Sequence, residues 1–225
     1  MTLIICELGS SPYPAWDFEP WCAAAQAVGA DAAKIQLWKT DVIYPPHMRE
    51  QMRPREFPRE RLREFVICAH AFGLQAGASV FDLDAVTLAA EWCDWLKLAA
   101  SQQDNDKLRA ACLSTGKRVY RSISNLRRGQ LYGETTLYAI QRYPAPMWLT
   151  LWRLWQASVW FKRQGWRWGH SSHTTGYFDC IAAANMGASV VEKHFARTSA
   201  DCEALHSLLP DKFSRMVAGI RKVTR

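Results

Sequence analysis

The feature that most constrains this chain is a repeated alternation of two periods. Short runs rich in β-formers take turns with longer runs whose apolar residues recur at helical spacing. The expected strands cover 3–7, 32–36, 74–79, 95–98, 118–122, 134–140, 166–171 and 189–194. The expected helices cover 18–28, 59–72, 84–91, 104–115, 146–162, 177–186 and 210–221. Gly29, Gly73, Gly116 and Gly187 stand just past four of them, where a helix ends in the left-handed conformation. Repeated strand–helix units of this kind put the strands in parallel, joined by crossover helices. The expected class is therefore α/β, and eight strands fit a closed (β/α)8 TIM barrel. The alternative is an open doubly wound sheet, but no Gly-x-Gly-x-x-Gly loop follows the first strand.

The length of 225 residues suits one domain, 1–225. It is short for a barrel of this type, which typically needs about 250 residues. The shortfall falls after Ser122, where almost nothing helical precedes the next strand, so one reduced unit is expected after the fifth strand. With 49% hydrophobic and 22% charged residues the chain can build a core, and disorder is not expected. A net charge of +7 favours anionic ligands. The seven cysteines form no Cys-x-x-Cys pair and have apolar flanks, which reads as reduced, mostly buried thiols in a cytoplasmic protein. The start, "MTLIICELGS", has no basic segment and too short an apolar run for a signal peptide, and no stretch is long enough to span a membrane.

Polar residues collect at the C-terminal ends of the expected strands, the face that carries the active site in such barrels. Glu7 ends the first strand, and Lys34 and Gln36, two apart, share a face of the second. Ser79 ends the third strand, Lys97 sits on the fourth, and Ser122 ends the fifth. Tyr143 follows the sixth, Ser171 and His173 the seventh, and Glu192 and His194 close the eighth. A lysine among apolar strand residues is costly to bury without an anionic partner, and here there are two. Two lysines with several hydroxyls suit a phosphate and a carboxylate together. His173 and His194 end neighbouring strands about 4.8 Å apart, so their rings can reach one ion. A lone strand-end histidine or a lone buried lysine is more often a paired core residue. The functional reading rests on so many such residues sharing one end of one sheet.

At these residues the chain resembles the sialic acid synthase family, barrels that condense phosphoenolpyruvate with a sugar. "ICELGSS" is similar to the family's Ala-Glu-Ile-Gly-x-Asn-His, and "GADAAKIQLWKTD" to Gly-Ala-Asp-Ala-Val-Lys-Phe-Gln. "SVFDLDAV" resembles Thr-Pro-Phe-Asp, "WLKLAAS" the Phe-Lys-Ile-(Ala/Gly)-Ser strand, and "STGKRVYRS" Thr-Gly-Lys-Pro-Val-x-x-Ser. "RYPAP" resembles Tyr-Pro-Ala-Pro, "GHSSHTTG" Gly-Tyr-Ser-Asp-His-Thr, and "GASVVEKHF" the family's most specific motif. The resemblance implies that His173 and His194 bind a divalent ion, Mn2+ or Mg2+. It implies that Lys34, Lys97, Ser79, Ser122 and Ser171 hold phosphoenolpyruvate, and that Glu7 and Glu192 line the acceptor side. The implied reaction joins phosphoenolpyruvate to an aldose such as N-acetylmannosamine and releases phosphate, in nonulosonate biosynthesis.

The departures from the family pattern fall mainly on the acceptor side. Ser11 and Pro12 replace Asn-His, Ala100 replaces a serine, and Gln102 replaces a glutamate. Gln141 or Arg142 stands where the family has asparagine, and Ser172 replaces an aspartate expected beside the ion. The C-terminal antifreeze-like domain of the family does not follow within these 225 residues. The alternative reading is a barrel that keeps fold and pocket without catalysis, or needs a partner protein. Trp148, Trp152 and Trp155 share one face of the 146–162 helix. Packing of that face on the barrel is the favoured expectation, and a homodimer or partner contact the alternative. Basic residues flank aromatics in "NLRRGQ" and "FKRQGWRW", but no nucleic-acid-binding motif accompanies them, so nucleic acid is not expected.

Overall fold

The computed structural model describes residues 1–129 and 132–224. Eight parallel strands close into a barrel in sequence order. They are β1 (Leu3–Glu7), β2 (Ala32–Leu37), β3 (Gln75–Val80), β4 (Trp95–Leu98), β5 (Arg118–Ile123), β6 (Glu134–Ala139), β7 (Trp168–Ser172) and β8 (Val190–His194). The helices are α1 (Glu19–Ala27), α2 (Thr40–Ile43), α3 (Pro46–Met52), α4 (Leu62–Ala71), α5 (Leu83–Trp92), α6 (Asp106–Ser114), α7 (Met147–Gln164), α8 (Phe178–Asn185) and α9 (Pro210–Val223). The short α2 and α3 were not expected from periodicity. Pro45 and Pro46 start α3, because proline's fixed φ suits the first helical turn and its missing N–H is no loss there.

Side chains alternate between the inside and outside of the barrel along each strand. Inside, Ile5, Trp95, Tyr120, Leu137 and Val190 form an apolar layer toward the N-terminal end. Trp95 needs the space over Gly77: a Cβ there would lie 2.2 Å from the indole. One step further along the strands the inward positions turn polar, and that layer is the candidate site. The outer faces pack against the helices in the larger core that includes Ile4, Leu37, Leu96 and Phe161.

After β5 the chain makes one 3-10 turn, Leu126–Arg128, before β6. This is the reduced unit. An ion-pair network closes the outside of the barrel there. Buried Arg121 donates to Glu134 (2.8 Å) and to the carbonyls of Gln103 (3.1 Å) and Gly129 (2.6 Å). Arg109 pairs with the same Glu134 at 2.8 Å. Gln130, the end of the basic stretch "NLRRGQ", lies outside the described residues.

Two expectations are corrected. β7 begins at Trp168 rather than at residue 166. Gly165 (φ 68°) ends α7 in the left-handed conformation, and the Trp166 N–H still bonds back to the Phe161 carbonyl, so Trp166 belongs to the helix cap. Trp148, Trp152 and Trp155 do not pack on the barrel: they are 73%, 50% and 57% exposed. The barrel is met instead by Thr150, Leu154, Ala157, Ser158 and Phe161, the opposite stripe of the same helix. Among the described residues no helix is long and apolar enough to cross a membrane.

Candidate active site

The inward polar layer opens into a cavity of about 320 Å³ at the C-terminal ends of the strands. Glu7, Lys34, Gln36, Ser79, Lys97, Ser122, Tyr143, Ser171, His173, Glu192 and His194 all line it. Every site residue expected from the sequence is thus brought to one place. The register explains why. Glu7 sits beside both Lys34 and His194, Ser79 beside Lys97, and Ser171 beside Glu192.

Two lysines and two glutamates form the floor, none more than 5% exposed. Lys34 contacts Glu7 and donates to Ser79 Oγ at 2.7 Å. It also lies 3.7 Å from Glu192 Oε2. Lys97 contacts Glu192 Oε1, which accepts from Ser171 Oγ as well (2.8 Å). The four charges balance, as buried charges must to escape a large desolvation cost. Burial draws the Lys34 ammonium down to about 7, with Lys97 adding to the effect and Glu192 opposing it. The contact with Glu7 also favours the ammonium. Burial alone would raise Glu192, but Lys34 and Lys97 together hold its carboxyl well below the usual range. Two buried atoms in the cavity, Ser122 Oγ and Glu192 Oε2, have no hydrogen-bond partner among the described residues.

The rim carries the histidines. His173 Nδ1 bonds the Ile140 carbonyl at 2.6 Å, so that nitrogen carries the hydrogen. Its Nε2 then accepts from the Tyr143 hydroxyl at 2.7 Å, and the Tyr143 ring stacks on the imidazole at 4.0 Å. Burial, and then His194, push His173 down to about 3. The His173 and His194 rings are 6.2 Å apart. His194 Nδ1 lies 3.0 Å from Glu203 Oε2, and His206 Nε2 lies 3.7 Å from the same oxygen. Burial lowers His194, against the opposing Glu203 carboxylate. The donor chemistry of a divalent ion fits at His194, where imidazole and carboxylate donors converge. His173 presents Nε2 to the same rim, where the Tyr143 hydroxyl meets it, because its Nδ1–H is held by the Ile140 carbonyl, the usual hold on a ligating imidazole.

Sequence reasoning missed Glu203 and His206. They come from the irregular segment after β8, in and beside the 3-10 turn Ala204–His206, where no period marks an inward position. Ser172 is also placed differently from its expectation beside the ion. It points out of the barrel and accepts from Lys193 Nζ at 3.1 Å, because Lys193 alternates outward between Glu192 and His194. Gln102 lies in the 3-10 turn after β4 and accepts from Asn105 at 3.0 Å.

A closed (β/α)8 barrel with a charge-balanced Lys/Glu floor and an imidazole rim defines a class: barrel proteins that gather their polar cluster in a cavity at the C-terminal mouth. Comparison with known proteins narrows that class. The NeuB family matches residues 22–225, and the chain belongs to this family. No curated protein matches its sequence significantly. Among solved structures it resembles the N-acetylneuraminic acid synthetase of Leptospira borgpetersenii, solved with citrate: TM-score 0.87, 17% identity, covering 99% of this chain and 84% of that one. It also resembles the spore coat polysaccharide biosynthesis protein SpsE of Bacillus subtilis: TM-score 0.81, 22% identity, covering 99% and 68%. A truncated 3-deoxy-D-arabino-heptulosonate 7-phosphate synthase from Thermotoga maritima gives TM-score 0.74 at 14% identity, covering 99% and 86%.

Proposed function

We propose that this chain condenses phosphoenolpyruvate with an open-chain aldose, an N-acylated amino sugar such as N-acetylmannosamine, and releases phosphate. Membership of the NeuB family and the likeness to a sialic acid synthetase support the class of reaction. The observation that carries the reading is the pair of buried lysines, Lys34 and Lys97, facing the unpartnered Ser122 hydroxyl in one cavity. In this reading the phosphate and carboxylate of phosphoenolpyruvate take over lysine contacts now held by Glu7 and Glu192. Ser79, Ser122 and Ser171 donate hydrogen bonds to the same oxygens.

C3 of phosphoenolpyruvate attacks the aldehyde carbon and forms the new carbon–carbon bond. The aldehyde oxygen takes up a proton from a cavity group, and the Lys34 ammonium, drawn down to about 7, is the candidate, with Glu7 and Glu192 as the carboxylates that hold it. Water adds at C2, the C2–O bond to phosphate breaks, and a 2-keto sugar acid and phosphate result. The lysines stabilise the anionic charge throughout. A divalent ion, Mn2+ or Mg2+, would be held by His173 and His194, and when bound it would polarise the acceptor carbonyl. In this reading Gln36 and Tyr143, which line the mouth, meet the acceptor. A phosphoenolpyruvate substrate and a thiol-rich chain both suit the cytoplasm.

The test is phosphate release from phosphoenolpyruvate with manganese, across a panel of aldoses that includes N-acetylmannosamine. Acceptor-dependent release that chelator abolishes is the expected result. Binding of phosphoenolpyruvate with no release under any aldose would overturn the reading, in favour of a non-catalytic barrel.

A further inference from the structure

Neither the fold nor the cavity chemistry accounts for the outward face of α7. Trp148, Trp152 and Trp155 stand 73%, 50% and 57% exposed, opposite the stripe that meets the barrel. At a rise of about 1.5 Å per residue they form a ridge about 10 Å long. Phe178, 65% exposed, extends the apolar surface onto α8, which packs beside α7. Rings of this size are costly to leave in water, and an exposed apolar patch rimmed by polar residues marks a contact surface. The charge around the ridge is of one sign. No Asp or Glu occurs between Glu134 and Asp179, and those two are buried. The same stretch holds Arg142, Arg153, Lys162, Arg163 and Arg167, all exposed and none in an ion pair among the described residues. Arg153 lies over the Trp152 ring at 5.0 Å. Lys162 and Arg163 follow two turns beyond Trp155, one on each side of the ridge line.

We propose that this face docks the barrel on an anionic lipid bilayer, with the Trp rings at headgroup depth and the basic side chains on lipid phosphates. Indole is apolar with a single N–H donor, and it settles at that depth because one part of it prefers hydrocarbon and the other prefers water. Each Lys or Arg near an anionic membrane surface adds to the attraction. A second copy of the same face would set like charges against each other, which disfavours a symmetric dimer through α7. A single nucleic acid strand is held in a groove, whereas the outer face of a helix is convex. A bilayer yields around a convex ridge, and a helix lying on it need not be long or apolar enough to span, as α7 is not. Barrel helices run along the outside of the strands, so a bilayer on α7 meets the side of the barrel and leaves the C-terminal mouth open. The proposal does not depend on the synthase reading.

The experiment is flotation of the full chain with vesicles of equal parts phosphatidylglycerol and phosphatidylcholine, and with vesicles of phosphatidylcholine alone, followed by tryptophan fluorescence. Binding to the anionic vesicles only is expected, with a blue shift, quenching by brominated acyl chains, and weakening by salt. R153Q/K162Q/R163Q should bind about 100-fold more weakly, at about fivefold for each charge removed. W148S/W152S/W155S should lose the blue shift and the quenching. All six of these side chains are exposed, so both variants are expected to melt like the wild type. A wild type that ignores the anionic vesicles overturns the proposal and leaves an acidic protein as the partner of this face. Equal binding to neutral vesicles overturns it too. So does flotation without quenching, because net charge alone would then hold the chain. A lipid-free wild-type dimer that W148S/W152S/W155S converts to monomer would give the face to a second copy and overturn it as well.

Discussion

Glu192→Gln tests the charge floor most directly. The substitution keeps the side chain's shape and lets the amide oxygen still accept from Ser171. It removes the carboxylate that lies against Lys97 and 3.7 Å from Lys34. At that distance, with an effective dielectric of about 20, the Lys34 attraction alone is about 4 kcal/mol. Relief of the carboxylate's own desolvation offsets part of this, and breaking a buried pair from one side generally costs about 3–5 kcal/mol. A loss of about 3 kcal/mol at pH 7 is expected in urea unfolding. The pH dependence has a definite sign. Lys34 is lowered from 10.5 to about 7 in the fold, so between those values the unfolded chain binds more protons and stability rises with pH. Loss of Glu192 strengthens that lowering. The variant's deficit should therefore be largest below pH 7 and shrink as pH rises through about 7, where Lys34 loses its proton in the wild type as well. Added inorganic phosphate should raise its melting temperature more than the wild type's, because an anion can replace the missing carboxylate. A variant within about 0.5 kcal/mol of wild type at pH 7, with a parallel pH profile, would refute the idea that Glu192 compensates the lysines.

Three further outcomes can be checked. Burial raises Asp179, but its bond to His170 (2.9 Å) overcomes this and brings it to about 2 from 3.8. It therefore contributes about 2 kcal/mol above pH 4 that is lost as pH falls from about 4 to 2, and Asp179→Asn should flatten that part of an acid-unfolding curve. Leu154→Ala, on the buried stripe of α7, should cost about 2–5 kcal/mol, whereas Trp152→Ala on the exposed stripe should stay within about 0.5 kcal/mol by denaturant melts; equal losses would mean that α7 is rotated. Gly9→Ala should cost more than about 1 kcal/mol in urea unfolding, through its positive φ and the clash of the new methyl group with the Glu203 carboxylate; a loss under about 0.5 kcal/mol would mean that the loop relaxes.

Much of this protein was legible in the chain itself. Strand and helix periods, with glycine at the helix ends, determine eight parallel units and so a barrel. Alternation along each strand then sends Glu7, Lys34, Lys97 and Glu192 inward at one end, because every second side chain shares a face. That logic holds only where a period exists. Glu203 and His206 lie in an irregular segment, and their approach to His194 depends on the path of a loop across the β1 turn. The Trp stripe of α7 has a clear period, but two opposite faces of the helix were both apolar enough to be buried. Packing chose the one with Leu154, Ala157 and Phe161, whose smaller side chains let the helix lie close to the barrel. Tertiary structure alone decided which glutamate meets which lysine and which hydrogen bonds occupy His173, because those contacts join strands far apart in sequence and depend on distances that no local pattern encodes.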